Sequence, residues 1–132
     1  MLTNIDQPEN AQVQNATQLY ATERIKLKNK AFRVTAYKLD SGQITVTVRQ
    51  MAITVRKQPT TAKNFLKRLG INPIVARMPN CCVADMVNLE VAINYFRDLN
   101  ESGKGNIRTL LGQECLTDHL EEAAKRKNKR EE

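Results

Sequence analysis

The sequence predicts an α+β domain: a β-hairpin, a helix-turn-helix, a second small β-hairpin that reads as a wing, and two C-terminal helices. Three observations carry this expectation. Apolar and polar residues alternate with period two through residues 32–39 and 44–48. After Thr47 the spacing of apolar residues becomes helical, and Pro59 then divides that stretch in two. Residues 24–77 also hold 13 Lys and Arg against one acid, Asp40.

Taken in order, residues 1–22 are rich in Asn and Gln without a clear period, and read as a flexible polar arm with a helical turn near residues 13–20. Residues 23–124 read as a single domain, and residues 125–132 as a charged C-terminal tail. The stretch Glu23-Arg24-Ile25-Lys26-Leu27-Lys28 alternates like an edge strand, its lysines guarding the edge against aggregation. Asp40-Ser41-Gly42-Gln43 supplies the turn of the first hairpin, with Gly42 available for positive φ.

Thr47 and Gln50 stand at capping-box spacing. Met51, Ala52 and Val55 then give the first helix its apolar side, and Pro59 suits the first turn of the next. Ala62, Phe65, Leu66 and Leu69 fall at i, i+3, i+4 and i+7, and Gly70 ends that helix. Residues 74–78 and 82–87 read as two short strands around Pro79-Asn80. Asn88 is a good N-cap for a helix carrying Leu89, Ala92, Ile93 and Phe96. A last helix from Asn106 is expected to turn Ile107, Leu110, Leu111 and Cys115 inward.

The charge is unevenly spread. The central basic segment carries +12, whereas residues 1–23 carry −3 and residues 78–132 carry −2. With a net charge of +7 and a pI near 9.5, that asymmetry points to an anionic partner, nucleic acid before a membrane surface. No apolar run is long enough to span a bilayer, so no membrane partner is expected. Met-Leu-Thr-Asn-Ile-Asp has neither a basic nor an apolar leader region. Three cysteines, two of them adjacent, argue against a disulfide scaffold and for a reducing cytoplasmic, nucleoid-associated setting. Cys115 and one of the adjacent pair read as small core hydrophobes.

The two helices around Gln58-Pro59 have helix-turn-helix spacing, with the small Ala52 where the helices cross. Thr60, Thr61, Lys63, Asn64, Lys67 and Arg68 then form the exposed face of the second helix. These are residue types that reach phosphates and base edges, and Asn64 can pair with adenine. Arg49, Arg56, Lys57 and Arg77 are the candidate phosphate contacts. Four residues after the crossing, where such motifs usually place glycine and then an apolar residue, this chain has Arg56 and Lys57. Either the turn has another length or the first helix runs on.

Val-Thr-Val-Arg-Gln-Met-Ala (46–52), Thr-Ala-Lys-Asn-Phe-Leu-Lys-Arg-Leu-Gly (61–70) and Val-Asn-Leu-Glu-Val-Ala (87–92) together resemble the N-terminal DNA-binding modules of phage antirepressors, of the BRO-N and KilA-N type. The likeness spans roughly residues 32–99, without the aromatic-rich start usual in those modules. It implies a DNA-binding regulator of a phage, plasmid or other mobile element.

The expected function is therefore non-enzymatic, sequence-specific binding of double-stranded DNA, with no cofactor. The last helix is the candidate surface for a homodimer, since reading a two-fold site takes two copies. Two other readings share the basic character: an inhibitor module docking on the acidic surface of a nucleic-acid enzyme, and a small metal-dependent nuclease. The nuclease needs clustered carboxylates, and the basic segment offers only Asp40. His119 is the only histidine, and adjacent Cys81-Cys82 lack the usual gap between zinc ligands, so neither a catalytic nor a metal site is expected.

Overall fold

The computed structural model describes residues 19–30 and 32–131, with side chains as far as residue 125. The chain is α+β, as the change of period predicts. The strands are β1 (Leu19–Asn29), β2 (Phe32–Leu39), β3 (Ile44–Thr47), β4 (Ile74–Arg77) and β5 (Val83–Asn88). The helices are α1 (Val48–Ile53), α2 (Pro59–Leu69), α3 (Leu89–Glu101) and α4 (Ile107–Glu131).

The two hairpins are one structure. The strands close into a barrel in the order β1-β2-β3-β5-β4. Neighbours run antiparallel except at the seam, where β1 meets β4 in parallel through Leu19–Ala76 and Tyr20–Arg77. This changes the reading of β4 and β5, which are woven into the barrel on both sides and do not stand free as a wing. A separate hairpin leaves two rows of backbone N–H and C=O groups unpaired, and closure removes that cost. The barrel end is filled by Ala21, Leu39, Ala76 and Met86, beside the buried Thr45 whose hydroxyl donates to the Tyr37 carbonyl at 3.1 Å.

Closure also moves a boundary. Strand β1 begins at Leu19, so residues 19–22 of the expected arm belong to the domain, and Leu19 and Tyr20 are extended, not helical. The remainder of the arm, residues 1–18, lies outside the described residues. At the other end α4 continues to Glu131, through most of the expected tail.

Several local signals act where they stand. Thr47 Oγ1 accepts from the Gln50 N–H at 2.9 Å and starts α1, so Val48 is helical and β3 ends one residue early. Asn88 Oδ1 accepts from the Val91 N–H at 2.9 Å and starts α3. Gly42 turns β2 into β3 with φ 91°.

The larger core lies between the helices and the inner faces of β1 and β2, where Leu27, Phe32, Val34 and Ala36 meet Met51, Ala52, Phe65, Phe96 and Leu116. Helix α4 enters this core on part of the expected stripe: Cys115 is buried and Leu111 packs half-buried against the core, but Ile107 and Leu110 do not turn inward. Thr109, Cys115 and Leu116 are buried, whereas Ile107 and Leu110 are 67% and 56% exposed. Gly112 decides the rotation: a Cβ there would lie 2.9 Å from the Phe96 ring and 3.1 Å from Phe32, so this face alone lets α4 approach both rings.

Of the cysteines, only Cys115 is buried; Cys81 and Cys82 are both exposed in the β4–β5 turn, correcting the expectation that one of that pair fills the core. Burial, reinforced by Asp118 and Glu114, pushes the Cys115 thiol up to about 11. At pH 8 a thiol reagent should therefore modify Cys81 and Cys82 rapidly in the native protein and reach Cys115 only after urea is added. Rapid native labelling of all three by mass spectrometry would refute this packing.

Candidate nucleic-acid interface

The local geometry begins with a helix that ends early. Helix α1 stops at Ile53, and the chain turns through Arg56, whose φ is 63°. Arg56 donates its N–H to the Ile53 carbonyl and Lys57 donates to the Ala52 carbonyl, both at 2.9 Å. Those two bonds make a Schellman closure with Arg56 as its left-handed residue. The helix does not run on: the turn takes the shape that a glycine normally supplies, and an arginine bears the conformational cost.

Side chains from far along the sequence hold that turn. Asn106 Nδ2 donates to the Val55 carbonyl at 3.0 Å, and Arg108 Nε donates to the Thr54 carbonyl at 2.7 Å. The Arg108 guanidinium also lies 5.6 Å from the centre of the Phe32 ring. The last carbonyls of α1, which have no partner inside the helix, are thus met by the start of α4.

Ala52 is fully buried where α2 crosses α1, as a small residue at that point requires. Helix α2 buries Ala62, Phe65 and Leu66 and is closed by Gly70 at φ 70°. Leu69, expected inside, is 53% exposed. All six candidate base-reading residues lie on the exposed side, but they are not equally free. Among the described residues, Thr60, Lys63, Asn64 and Lys67 make no side-chain hydrogen bond or ion pair.

Thr61 and Arg68 are engaged by α3. The Thr61 hydroxyl donates to the Gln58 carbonyl at 2.7 Å and lies 2.6 Å from the Tyr95 hydroxyl. Tyr95 is buried, which raises its pKa, partly offset by the bond to Thr61. Arg68 pairs with Asp98 at 2.9 Å and lies 5.7 Å from the Phe65 ring centre. Sequence reasoning missed Tyr95 and Asp98 because nothing local marks them; they sit 34 and 30 residues from their partners.

The phosphate candidates divide similarly. Arg49 is exposed on α1, Arg56 is exposed in the turn, and Lys57 follows it half-buried. All three lie on the same helix–turn–helix segment as the α2 face. Arg77 stands apart at the end of β4, where its guanidinium donates to the Cys81 carbonyl at 2.9 Å and shapes its own turn. Among the described residues no group of three or more His, Cys, Asp or Glu side chains is placed to hold a metal ion. No helix there is long and apolar enough to cross a membrane.

The turn yields a test by urea denaturation. Arg56→Gly should raise stability by about 0.5–1 kcal/mol, since relief of the left-handed strain outweighs the added chain entropy. Arg108→Ala should lower it by about 1–3 kcal/mol by leaving the Thr54 carbonyl unmet. A destabilised Arg56→Gly variant would contradict this geometry. Comparison with family models, curated proteins and solved structures finds no match, so the likeness to antirepressor modules rests on the residues quoted for it.

Proposed function

We propose that this chain is a non-enzymatic, sequence-specific binder of double-stranded DNA, a transcriptional or replication regulator of the mobile-element type that its sequence resembles. One observation carries the reading: α2 presents Thr60, Lys63, Asn64 and Lys67 to solvent with no partner within the described residues and no acid on the helix. A side chain already committed to its own fold must break a bond before it can meet a base. These four need not, and their types match what base edges and phosphates take.

The supporting roles follow from position. Gln58 makes no side-chain cap bond and Pro59 has no N–H, and the Thr61 N–H already meets the Gln58 carbonyl, so at the start of α2 the Thr60 N–H is the one left for a phosphate, favoured by the helix dipole. Thr61 is a positioning residue, bonded to Tyr95 and setting the pitch of α2 against α3. Arg68, steadied by Asp98, is poised for phosphate contact rather than for reading guanine. Lys63 and Asn64 are the residues assigned to bases, with Lys67, Arg49, Arg56 and Lys57 on the backbone.

Mobility-shift assays on duplex DNA, single-stranded DNA and RNA at two salt concentrations test the reading. With about six phosphates neutralised, duplex affinity should fall roughly a thousandfold between 50 and 200 mM salt. On a duplex selected from a random pool, Asn64→Ala should lower discrimination over random DNA by about 1–3 kcal/mol with the melting temperature unchanged. Equal weakening on selected and random duplexes would make Asn64 a backbone contact. Salt-insensitive binding, or preference for an acidic protein over duplex DNA, would remove the reading altogether.

A further inference from the structure

The sequence reads the lysines of β1 as guards of an edge strand; from Arg24 onward β1 is an edge, and the register also gathers those lysines with a cation of β2. From Arg24 onward β1 has only β2 as a strand partner, and β2 meets β3 only at Tyr37 and Lys38. The two therefore continue beyond the barrel as a two-stranded ribbon. Its inner face, through Leu27, Phe32, Val34 and Ala36, is buried in the helical core. Its outer face pairs Arg24 with Tyr37, Lys26 with Thr35, and Lys28 with Arg33.

Four of those six residues are cationic and none is acidic. Arg24, Lys26, Lys28 and Arg33 are exposed. Lys26 donates to the Thr35 hydroxyl at 2.8 Å, and the side chains of Arg24, Lys28 and Arg33 have no hydrogen bond or ion pair among the described residues. The neighbouring Lys30, by contrast, is paired with Glu114 of α4 at 3.1 Å. Like charges directly opposite each other weaken a ribbon, so Lys28 across from Arg33 costs stability. A polyanion lying along the face turns the repulsion into attraction. Alternate residues on a strand are about 6.7 Å apart, so Arg24, Lys26 and Lys28 span about 13 Å. Each DNA strand offers a phosphate per roughly 3.4 Å of helix axis, enough for each cation to find one.

We propose that the outer face of the β1–β2 ribbon is a second DNA-contacting surface, binding duplex phosphates irrespective of sequence through Arg24, Lys26, Lys28 and Arg33. This rests on the DNA-binding reading above and adds to it a part of the molecule separate from α2.

Fluorescence anisotropy with one selected and one random duplex, over a series of salt concentrations, tests the ribbon separately from α2. Neutralising the ribbon (Arg24→Gln, Lys26→Gln, Lys28→Gln and Arg33→Gln together) should weaken both duplexes by the same factor. The slope of log affinity against log salt should shrink by about 0.9 for each phosphate that the variant no longer neutralises. Lys28→Glu alone, which places opposite charges across the strands, should melt higher than the parent protein while its salt slope still shrinks, so misfolding cannot account for the weaker binding. An unchanged slope in both variants would overturn the ribbon proposal and leave α2 untouched. Weakening on the selected duplex alone would also overturn it, because the ribbon would then be reading bases. Failure of the parent protein to bind any duplex at 50 mM salt would overturn the DNA reading itself.

Discussion

A helix of six residues does not hold itself together in water, because nucleation costs more than so few internal hydrogen bonds return. Helix α1 exists because its two ends are fastened from outside. At its start the Thr47 side chain receives the Gln50 N–H. At its end the Thr54 and Val55 carbonyls receive Arg108 and Asn106 from the start of α4. The direction in which α2 leaves α1 is set by the turn between these fastenings. Any function that depends on the α2 face therefore depends on a contact made across more than 50 residues of chain.

Helix α4 also joins the β1–β2 ribbon to the other helices. Gly112 allows α4 to lie against Phe32 of the ribbon and Phe96 of α3, and Cys115 and Leu116 carry the packing onward into the core. Asn29 and Lys30, at the ribbon tip, reach Asp118 and Glu114 on α4. Acidic residues of α4 thus engage polar and cationic groups at the tip, while the cations on the outer ribbon face stay exposed. The division of charge between structure and surface follows from which face of the ribbon the helix covers.

Much of this was legible from the residues. The capping residues Thr47 and Asn88, the turn at Gly42 and the stop at Gly70 work over three or four residues, so local chemistry suffices to place them. The small Ala52 at the crossing and the exposed Lys63, Asn64 and Lys67 also follow from helical spacing alone. Where local reasoning went astray, a long-range contact outweighed it. Ile107 and Leu110 have the spacing of a buried stripe, yet α4 turns its glycine inward because two aromatic rings need that space. Arg56 stands where glycine is usual, and the turn forms anyway, since the Schellman bonds and the α4 clamp together outweigh the strain.

By itself the sequence determined the order of strands and helices, the helix starts at Thr47 and Asn88, the stop at Gly70, and the concentration of positive charge between Arg24 and Arg77. Those properties arise from neighbours in the chain and from composition. Only the tertiary structure decided that two hairpins close into one barrel, that Arg68 and Thr61 belong partly to α3, and that the charges of β1 and β2 share one outer face. Strand register, close helix approach and ion pairing join residues from five to more than 50 positions apart. Such pairings are selected by the free energy of the whole fold, which no local pattern encodes.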